Sequence, residues 1–340
     1  MASEFDKIIA RLDKEKTTGA FEHAADELIS FITDDSTVGR VSDTFRKSES
    51  VWVRYGILKA YEMMDHAGST AYRTLSQHCR EVILEDLLVG LADKDKGIRM
   101  TSSDILSNGE ELMKGAKPEL GERIVKGLIA NSDRARESSV VEALGVADYS
   151  GISQETKKQA ADFLVKAAVD GSRNAARGVD RIGDEASKDI VRKHWLPKLD
   201  SRKEKEVGRA LGIFEFIECK EAANKVDGLV KKGKRDSDYI DVLVRSGDER
   251  HEDSMIKLME GRDWMGGRYC IADMEILGKK GWKKSSEILN RIVKNKKDYD
   301  EQEIEAARKA SKEIEGRMTV SSKPAEKKLE EAMKRKKVPA

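Results

Sequence analysis

A short pattern recurs along this 340-residue chain at intervals of a few tens of residues. In each copy an apolar helix end is followed by an acidic turn, and then by a basic residue that opens a second apolar helix. The pattern is clearest over 93–99, which reads Asp-Lys-Asp-Lys-Gly-Ile-Arg, and it returns over 132–136 as Ser-Asp-Arg-Ala-Arg. Self-similarity at such a period is typical of stacked repeat proteins, in which each helical pair buries its apolar faces only against its neighbours.

Length and composition favour the same architecture. A chain of 340 residues exceeds the size at which one core usually stops growing, so it either splits into domains or extends by adding similar layers. Hydrophobic residues at 39%, charged residues at 37% and only four prolines are typical of amphipathic helices, because strands would need more β-branched and aromatic residues between turns. The sequence therefore predicts an all-α protein that grows by repetition.

The spacing of apolar residues divides the chain into three parts. Residues 1–36 hold two amphipathic helices, over 3–15 and 19–33, which lack the acidic turn and form an N-terminal cap. Residues 37–317 form the repeat region, and residues 318–340 are a charged C-terminal tail. The eight helix pairs predicted in the repeat region are 37–47 with 49–65, 70–92 with 96–109, 118–130 with 132–147, 153–169 with 171–183, 187–199 with 203–217, 219–232 with 236–246, 251–260 with 264–278, and 282–295 with 300–316.

The repeated segments resemble the HEAT-repeat pattern, in which an apolar first helix ends in an Asp turn and a Val-Arg pair opens the second helix. The resemblance implies a right-handed superhelical solenoid of stacked antiparallel helix pairs, whose second helices line a concave surface. It also implies that turn aspartates and helix-opening arginines form a ladder of side chains between neighbouring repeats. The residues assigned to this ladder are Asp93, Asp95, Arg99, Asp133, Arg136, Arg209 and Arg268. Such a fold does not by itself select a function.

Charge is distributed unevenly along the chain. Residues 1–170 carry 23 basic against 30 acidic side chains, whereas residues 171–340 carry 41 against 33. The C-terminal half could therefore attract an acidic protein, RNA, DNA or an anionic membrane surface. The alternative interpretation is that Lys and Glu merely solvate exposed helix faces.

The densest basic stretch lies between residues 279 and 297, where Glu287 is the one acidic residue. Its members, the candidate contacts for a partner or an anion, are Lys279, Lys280, Lys283, Lys284, Arg291, Lys294, Lys296 and Lys297. Phosphate binding by such a patch would depend strongly on salt and little on nucleotide sequence. A solvated helix face is again the alternative.

Two tryptophans are candidate aromatic anchors. Trp52 is followed closely by Arg54 and Tyr55, and Trp264 is followed by Arg268 and Tyr269. Each could present a ring beside a guanidinium on one helix face, where it would stack a base or hold a peptide. The alternative is that both rings pack between helices.

Motifs for catalysis or for cofactor binding are absent from the sequence. It has no GxSxG and no GxxxxGK[ST], and acidic pairs such as Glu110-Glu111 are interpreted as solvated charges or caps. The HEAT-like iron hydroxylases carry a His-Glu dipeptide repeatedly, but here His251-Glu252 is the single one, so the metal interpretation fails on ligand count. We expect no metal, no cofactor and no catalysis.

Cys79, Cys219 and Cys270 are far apart and form no CxxC pair, which argues against a disulfide framework and indicates a reducing compartment. Residues 1–7 contain no apolar signal core, and no run approaches the ~18 apolar residues of a membrane-spanning helix. We therefore expect a cytoplasmic protein without membrane insertion.

The function predicted from these observations is a non-catalytic scaffold or adaptor that binds a protein or peptide partner on the concave surface of the solenoid. One alternative is a nucleic-acid-associated protein that uses the basic C-terminal half. A second alternative is a cleft enzyme such as the HEAT-like DNA glycosylases, which use a basic concave cleft with aromatic and acidic residues.

Overall fold

The structure is a computed structural model that describes residues 3–14, 18–66, 72, 74–133, 137–234, 236, 238–261 and 269–336. For 18, 65, 66 and 319–336 it describes the backbone alone. The described residues form nineteen α-helices and two short 3-10 helices, and they contain no strand. The prediction of an all-α protein is confirmed. The chain divides into two compact units, residues 1–194 and 195–340.

The first unit contains twelve α-helices, the last of which ends one residue inside the second unit. They are α1 Glu4–Lys14, α2 Thr18–Ile32, α3 Val38–Lys47, α4 Val51–His66, α5 Gln77–Leu91, α6 Lys96–Asn108, α7 Glu110–Met113, α8 Pro118–Ala130, α9 Glu137–Val146, α10 Gln154–Val169, α11 Arg173–Ile182 and α12 Glu185–Trp195. Their bounds agree with the predicted helices to within a few residues, except that α5 begins later than predicted and α7 was not predicted.

Helices of the first unit contact one another in two rows. Each of α2, α4, α6, α9 and α11 packs against the next in that order, and so does each of α3, α5, α8 and α10. Members of the two rows also pack as sequence neighbours, in the pairs α3 with α4, α5 with α6, α8 with α9 and α10 with α11. The first row consists of the second helices of the predicted pairs, preceded by α2 of the cap, and the other row consists of their first helices.

The second unit contains seven α-helices and the two 3-10 helices. They are the 3-10 helix Leu196–Asp200, α13 Glu204–Phe214, α14 Lys220–Lys231, α15 Asp238–Ser246, the 3-10 helix Glu249–His251, α16 Glu252–Glu260, α17 Ile271–Lys280, α18 Lys283–Lys294 and α19 Glu301–Lys336. Helix α14 packs on α15 and α16, α16 packs on α18, and α17, α18 and α19 pack on one another. Helix α19 continues through the predicted boundary at residue 318, so most of the predicted tail shares a helix with the last predicted repeat.

Side-chain caps explain why several helices begin where they do. The carboxylate of Asp95 accepts a hydrogen bond from the Ile98 amide at 3.1 Å, and the Ser153 hydroxyl accepts one from the Thr156 amide. Each satisfies one of the amides that a helix leaves unpaired in its first turn. Helix α11 is terminated by the next residue, Gly183, whose φ of +80° lies in the left-handed region that favours glycine.

Glycine also permits one close helix crossing in the first unit. A Cβ atom added at Gly145 of α9 would lie 2.4 Å from the Asn174 carbonyl oxygen, and one added at Gly178 of α11 would lie 3.1 Å from the Cα atom of Gly145. Helices α9 and α11 can approach this closely because neither residue has a side chain. The helical Gly208, in contrast, faces open space and supports no close contact.

Polar side chains join neighbouring first helices of the first unit. Lys117, which precedes α8, and Arg123 of α8 form ion pairs with Glu81 and Glu85 of α5, the first of them at 2.8 Å. Helix α8 is linked to α10 in turn, because Glu122 accepts hydrogen bonds from the backbone amide and hydroxyl of Ser153 and from the Thr156 hydroxyl. Hydrogen bonds from Lys126, Ser153 and Thr156 lower the pKa of Glu122 to about 2. Each contact joins residues roughly one repeat apart.

Asp86 of α5 is the most deeply buried of these polar links. Its carboxylate accepts hydrogen bonds from the Ser42 hydroxyl and the Arg46 Nε of α3, both at 2.7 Å, and from the Tyr61 hydroxyl of α4 at 2.9 Å. Burial raises the pKa of Asp86 above the usual range, although these three donors favour the charged form. One carboxylate thus fixes the register of three helices.

Replacing Asp86 tests this link. In Asp86→Ala the buried hydroxyls of Ser42 and Tyr61 lose their acceptor, and we expect the free energy of unfolding to fall by about 3 kcal/mol in urea titrations. Asp43→Ala on α3 is the control, because the ion pair of Asp43 with Lys47 is exposed and its loss should leave the free energy of unfolding nearly unchanged. Equal losses in the two variants would contradict the assigned role.

Candidate binding surfaces

An aromatic cluster lies on α2 and α4 in the first unit. The Phe21 ring stacks on Tyr55 at a centroid distance of 5.8 Å and meets Trp52 edge to face at 6.0 Å. Phe21 is buried, whereas Trp52 is 42% exposed and its neighbour Val51 is also exposed. Of the two predicted anchors, Trp52 therefore presents much of its ring to solvent from a rigid base. Trp264 lies outside the described residues.

Asp93, assigned to the ladder, forms a buried ion pair with Arg54. These side chains are only 8% and 9% exposed, and they lie on the turn before α6 and on α4 respectively. Nε and Nη2 of Arg54 are buried without a hydrogen-bond partner among the described residues, so Asp93 is the counter-charge on which this guanidinium depends. The two residues are 39 positions apart in sequence. Their ion pair links the start of α4 to the turn that precedes α6, the next helix of the row of second helices.

The other assigned ladder residues have varied surroundings. Nη1 of Arg99 donates hydrogen bonds to the backbone carbonyls of Asp93 and Lys94 at 2.7 and 2.9 Å, so it holds its own turn. Asp95 caps α6, and Asp133 and Arg209 are exposed. Arg136 and Arg268 lie outside the described residues. A ladder running through all these positions stays a prediction.

The basic stretch separates into two groups at opposite ends of α18. Lys279, Lys280, Lys283 and Lys284 lie at its start, and Arg291, Lys294, Lys296 and Lys297 lie at its end. Because α18 has twelve residues and rises 1.5 Å per residue, its first and last residues, Lys283 and Lys294, lie roughly 16 Å apart along the helix axis. Lys284 forms an ion pair with Asp253 at 2.6 Å, whereas the other seven have no carboxylate partner within the described part of the chain. These cations are available to an anion.

Helix α18 itself does not offer an open anion site at its start. The carboxylate of Glu252, only 7% exposed, accepts hydrogen bonds from the backbone amides of Trp282 at 2.6 Å and Ser285 at 2.9 Å. It thereby occupies the positive end of the helix dipole. His251 is also engaged, because its Nδ1 accepts from the Asp248 amide at 3.0 Å and its Nε2 lies 3.1 Å from the Asn224 amide oxygen.

A cavity of about 510 Å³ opens beside α7 in the first unit. It is lined by Glu110, Glu111, Lys114, Val146, Ala147, Asp148, Tyr149, Ser150, Lys157 and Arg181. Tyr149 is buried and its hydroxyl donates to the Leu144 carbonyl at 2.8 Å, and burial raises the pKa of this phenol. The lining thus includes acidic, basic and aromatic side chains.

Glu110 lies at the edge of this cavity between two arginines of α11. Nη2 of Arg177 donates to its Oε2 at 2.7 Å, and Nη2 of Arg181 donates to its Oε1. Partial burial opposes ionisation of Glu110, but the two guanidiniums prevail and lower the pKa of its carboxyl below the usual range. Nη1 of Arg181 also donates to the Val146 carbonyl at 2.6 Å, at the end of α9.

Sequence reasoning missed this arrangement, because it interpreted Glu110 as a solvated charge or cap and did not single out Arg181. The available signal is the spacing of Arg177 and Arg181, since residues four apart lie on the same face of a helix. Nothing in the sequence indicates that their partner lies 67 and 71 residues earlier on a helix of four residues.

A smaller cavity of about 300 Å³ lies in the second unit and includes Arg291 of the basic stretch. The Tyr269 hydroxyl donates to Glu260 at 2.9 Å, and the Tyr269 amide donates to the Tyr299 hydroxyl. Burial raises the pKa of Tyr269, and the carboxylate of Glu260 adds to that shift. Both aromatic side chains are thus held by the protein itself.

The cysteine, histidine and acidic side chains are the remaining candidates for reactive or metal-binding groups. The three cysteines are free thiols, and burial raises the pKa of Cys79 to about 11, which keeps that thiol protonated near neutral pH. No cluster of three or more His, Cys, Asp or Glu side chains suited to a metal ion occurs in the described ranges. None of the helices in the part of the chain that the structure describes is long and apolar enough to cross a bilayer.

Comparisons with known proteins do not assign a family. No protein-family model and no curated protein matches the chain. Among solved structures, one engineered protein is 14% identical over 92% of this chain and 99% of its own, with a TM-score of 0.32. Another is 15% identical over 93% and 98%, with a TM-score of 0.19. Likeness at these scores carries no conclusion about fold or function.

The buried pair of Arg54 and Asp93 yields a prediction on stability. Asp93→Asn leaves the guanidinium of Arg54 buried without a counter-charge, so the free energy of unfolding should fall by about 3 kcal/mol in urea titrations. Adding Arg54→Met removes the stranded charge and should restore most of that loss. A double variant that is less stable than Asp93→Asn would show that the two side chains do not depend on each other.

Proposed function

We propose that this protein is a non-catalytic scaffold or adaptor, which binds a protein or peptide partner through its row of second helices. The observation that carries the proposal is the partly exposed ring of Trp52. It packs against the Phe21 ring, which in turn stacks on Tyr55. Tryptophan and tyrosine dominate the binding energy of protein interfaces because they supply large rigid contact areas. The free thiols support a reducing, cytoplasmic location.

The architecture in this proposal is a right-handed, HEAT-like solenoid of antiparallel helix pairs. It is supported by the two rows of helices in the first unit, where each second helix packs on the next one and each first helix does likewise. A row of second helices presents side chains from several repeats to one partner, without a folding cost on binding. Trp52 and Tyr55 both lie on α4, within that row.

Affinity purification from the native source with the full chain as bait tests the proposal. Partners recovered with the unaltered chain should fall about tenfold or more with Trp52→Ala, because truncation removes an interface anchor. Ile190→Ala is the matched control, since Ile190 on α12 is 53% exposed but lies outside the row. Recovery of the same partners at the same yield with Trp52→Ala would contradict the proposed surface.

Seven cations around α18 have no carboxylate partner within the described part of the chain, and they favour a second candidate function, association with nucleic acid. The second unit carries 35 basic against 29 acidic residues, which adds a favourable long-range field. Binding of this kind neutralises phosphates and releases counterions. The remaining alternative, a cleft enzyme such as a HEAT-like DNA glycosylase, stays a prediction.

Titration of a labelled single-stranded oligonucleotide at several salt concentrations tests this second candidate. We expect the slope of log affinity against log salt to be smaller by about 2 units in Lys294→Gln/Lys296→Gln/Lys297→Gln, because each lost phosphate contact removes about 0.7. A triple variant of the exposed Lys7, Lys14 and Lys166 in the first unit should keep the slope. Equal slopes in all three proteins would refute the candidate.

A further inference from the structure

Two arginines of the first unit converge on one carboxylate that solvent can reach. Arg177 and Arg181 bind the two oxygens of Glu110 from one face of α11, an arrangement that recognises a carboxylate in general. The Glu110 side chain is 43% exposed, so it can leave the arginines by rotating into solvent without unfolding α7. The protein's own glutamate thus shows which kind of group these two guanidiniums hold.

Two further cations line the cavity beside α7, at whose edge Glu110 lies. Lys114 and Lys157 line it, and the side-chain amino group of neither forms an ion pair or a hydrogen bond within the described part of the chain. Asp148, in contrast, is already occupied, because its carboxylate accepts hydrogen bonds from the Ser150 amide at 2.8 Å and the Ser150 hydroxyl at 2.6 Å. Glu111 lines the cavity as well, so its lining carries as many acidic as basic side chains, and the two lysines are the cations whose amino groups have no partner among the described residues.

The size and position of the cavity suit a short piece of polypeptide. Its volume of about 510 Å³ falls within the range of sites that enclose a small ligand or a few side chains. Its walls include the ends of α9 and α11, two members of the row of second helices, and residues 147–150 of the segment that connects α9 to α10. The row through which we propose that the protein binds its partner thus contributes part of the cavity wall.

We propose that this cavity binds an acidic peptide segment of the protein partner, with one carboxylate of the segment replacing Glu110 on Arg177 and Arg181. A neighbouring acidic side chain of the segment would then face Lys114 and Lys157. This inference rests on the proposed function, since the ligand belongs to the partner that the scaffold binds. Glu110 acts as an internal competitor that keeps the arginines paired while the site is empty.

An internal competitor has a measurable signature. While Glu110 occupies the arginines, only the fraction of molecules with free guanidiniums is competent to bind, so the apparent affinity is reduced by that fraction. Glu110→Gln removes the competing charge and keeps nearly the same shape. It should therefore tighten binding of an acidic peptide, a gain that a folding defect cannot produce.

Fluorescence anisotropy with the full chain tests the proposal. The probe is a fluorescein-labelled peptide of eight residues in which Glu alternates with Ser, and its counterpart has Gln in place of Glu. We expect the Glu peptide to bind about fivefold more tightly to Glu110→Gln than to the unaltered chain. Arg181→Gln should weaken binding about tenfold, and the Gln peptide should bind to none of the proteins.

Arg123→Gln is the matched control for the arginine variant. Arg123 is an arginine of the same unit that binds both oxygens of a carboxylate, Glu85, but it lies outside this cavity. Its replacement should leave peptide affinity unchanged. A second readout is acetylation of lysines, in which bound peptide should protect Lys114 and Lys157 and leave the exposed Lys7 reactive.

Three results would overturn the inference: unchanged or weaker peptide binding in Glu110→Gln, equal binding of the Glu and Gln peptides, or acetylation of Lys114 and Lys157 that the peptide does not alter. Failure of the proposed function is distinguishable from these. If Trp52→Ala keeps its partners while the peptide results hold, the scaffold surface is wrong and the acidic-segment site stands. If partners depend on Trp52 but Glu110→Gln has no effect, the reverse is true.

Discussion

Burial of apolar helix faces against neighbouring helices is the constraint on which the first unit depends. No helix pair of about 25 residues can form a core alone, so every pair relies on the contacts that its two helices make along their rows. Apolar packing alone fixes the spacing of helices better than their register. Buried and half-buried polar links supply the register, with Asp86 joining three helices and Glu122 joining two.

The hydrogen bonds of the interior polar groups also limit where a binding site can lie. Most polar groups in the interior already have partners: Asp86, Glu252 and His251 are each held by two or more hydrogen bonds. What stays available is on the surface, namely the Trp52 ring, the lysines at the ends of α18, and the cations beside α7. These are features of recognition, because they offer contact area and charge to a partner.

The helices themselves were predictable to a large extent. Apolar spacing located the first helices of the cap and the repeats, and Asp95 and Ser153 begin helices because a side-chain oxygen pairs an amide of the first turn. The four-residue α7 escaped prediction because it is too short to show a helical period. The Glu110 site escaped for a different reason: Arg177 and Arg181 share a helix face, but their partner is distant in sequence.

Local chemistry therefore determined, from the sequence alone, that this chain is helical, where most helices begin and end, and which residues can pair within one turn. Tertiary structure alone decided that Asp93 meets Arg54, that Asp86 is buried among three helices, and that Glu110 reaches α11. The physical reason is the separation in sequence over which each kind of interaction acts. Helix formation and capping act over about four residues, which a sequence displays directly, whereas these ion pairs form between residues brought together only when whole helices pack.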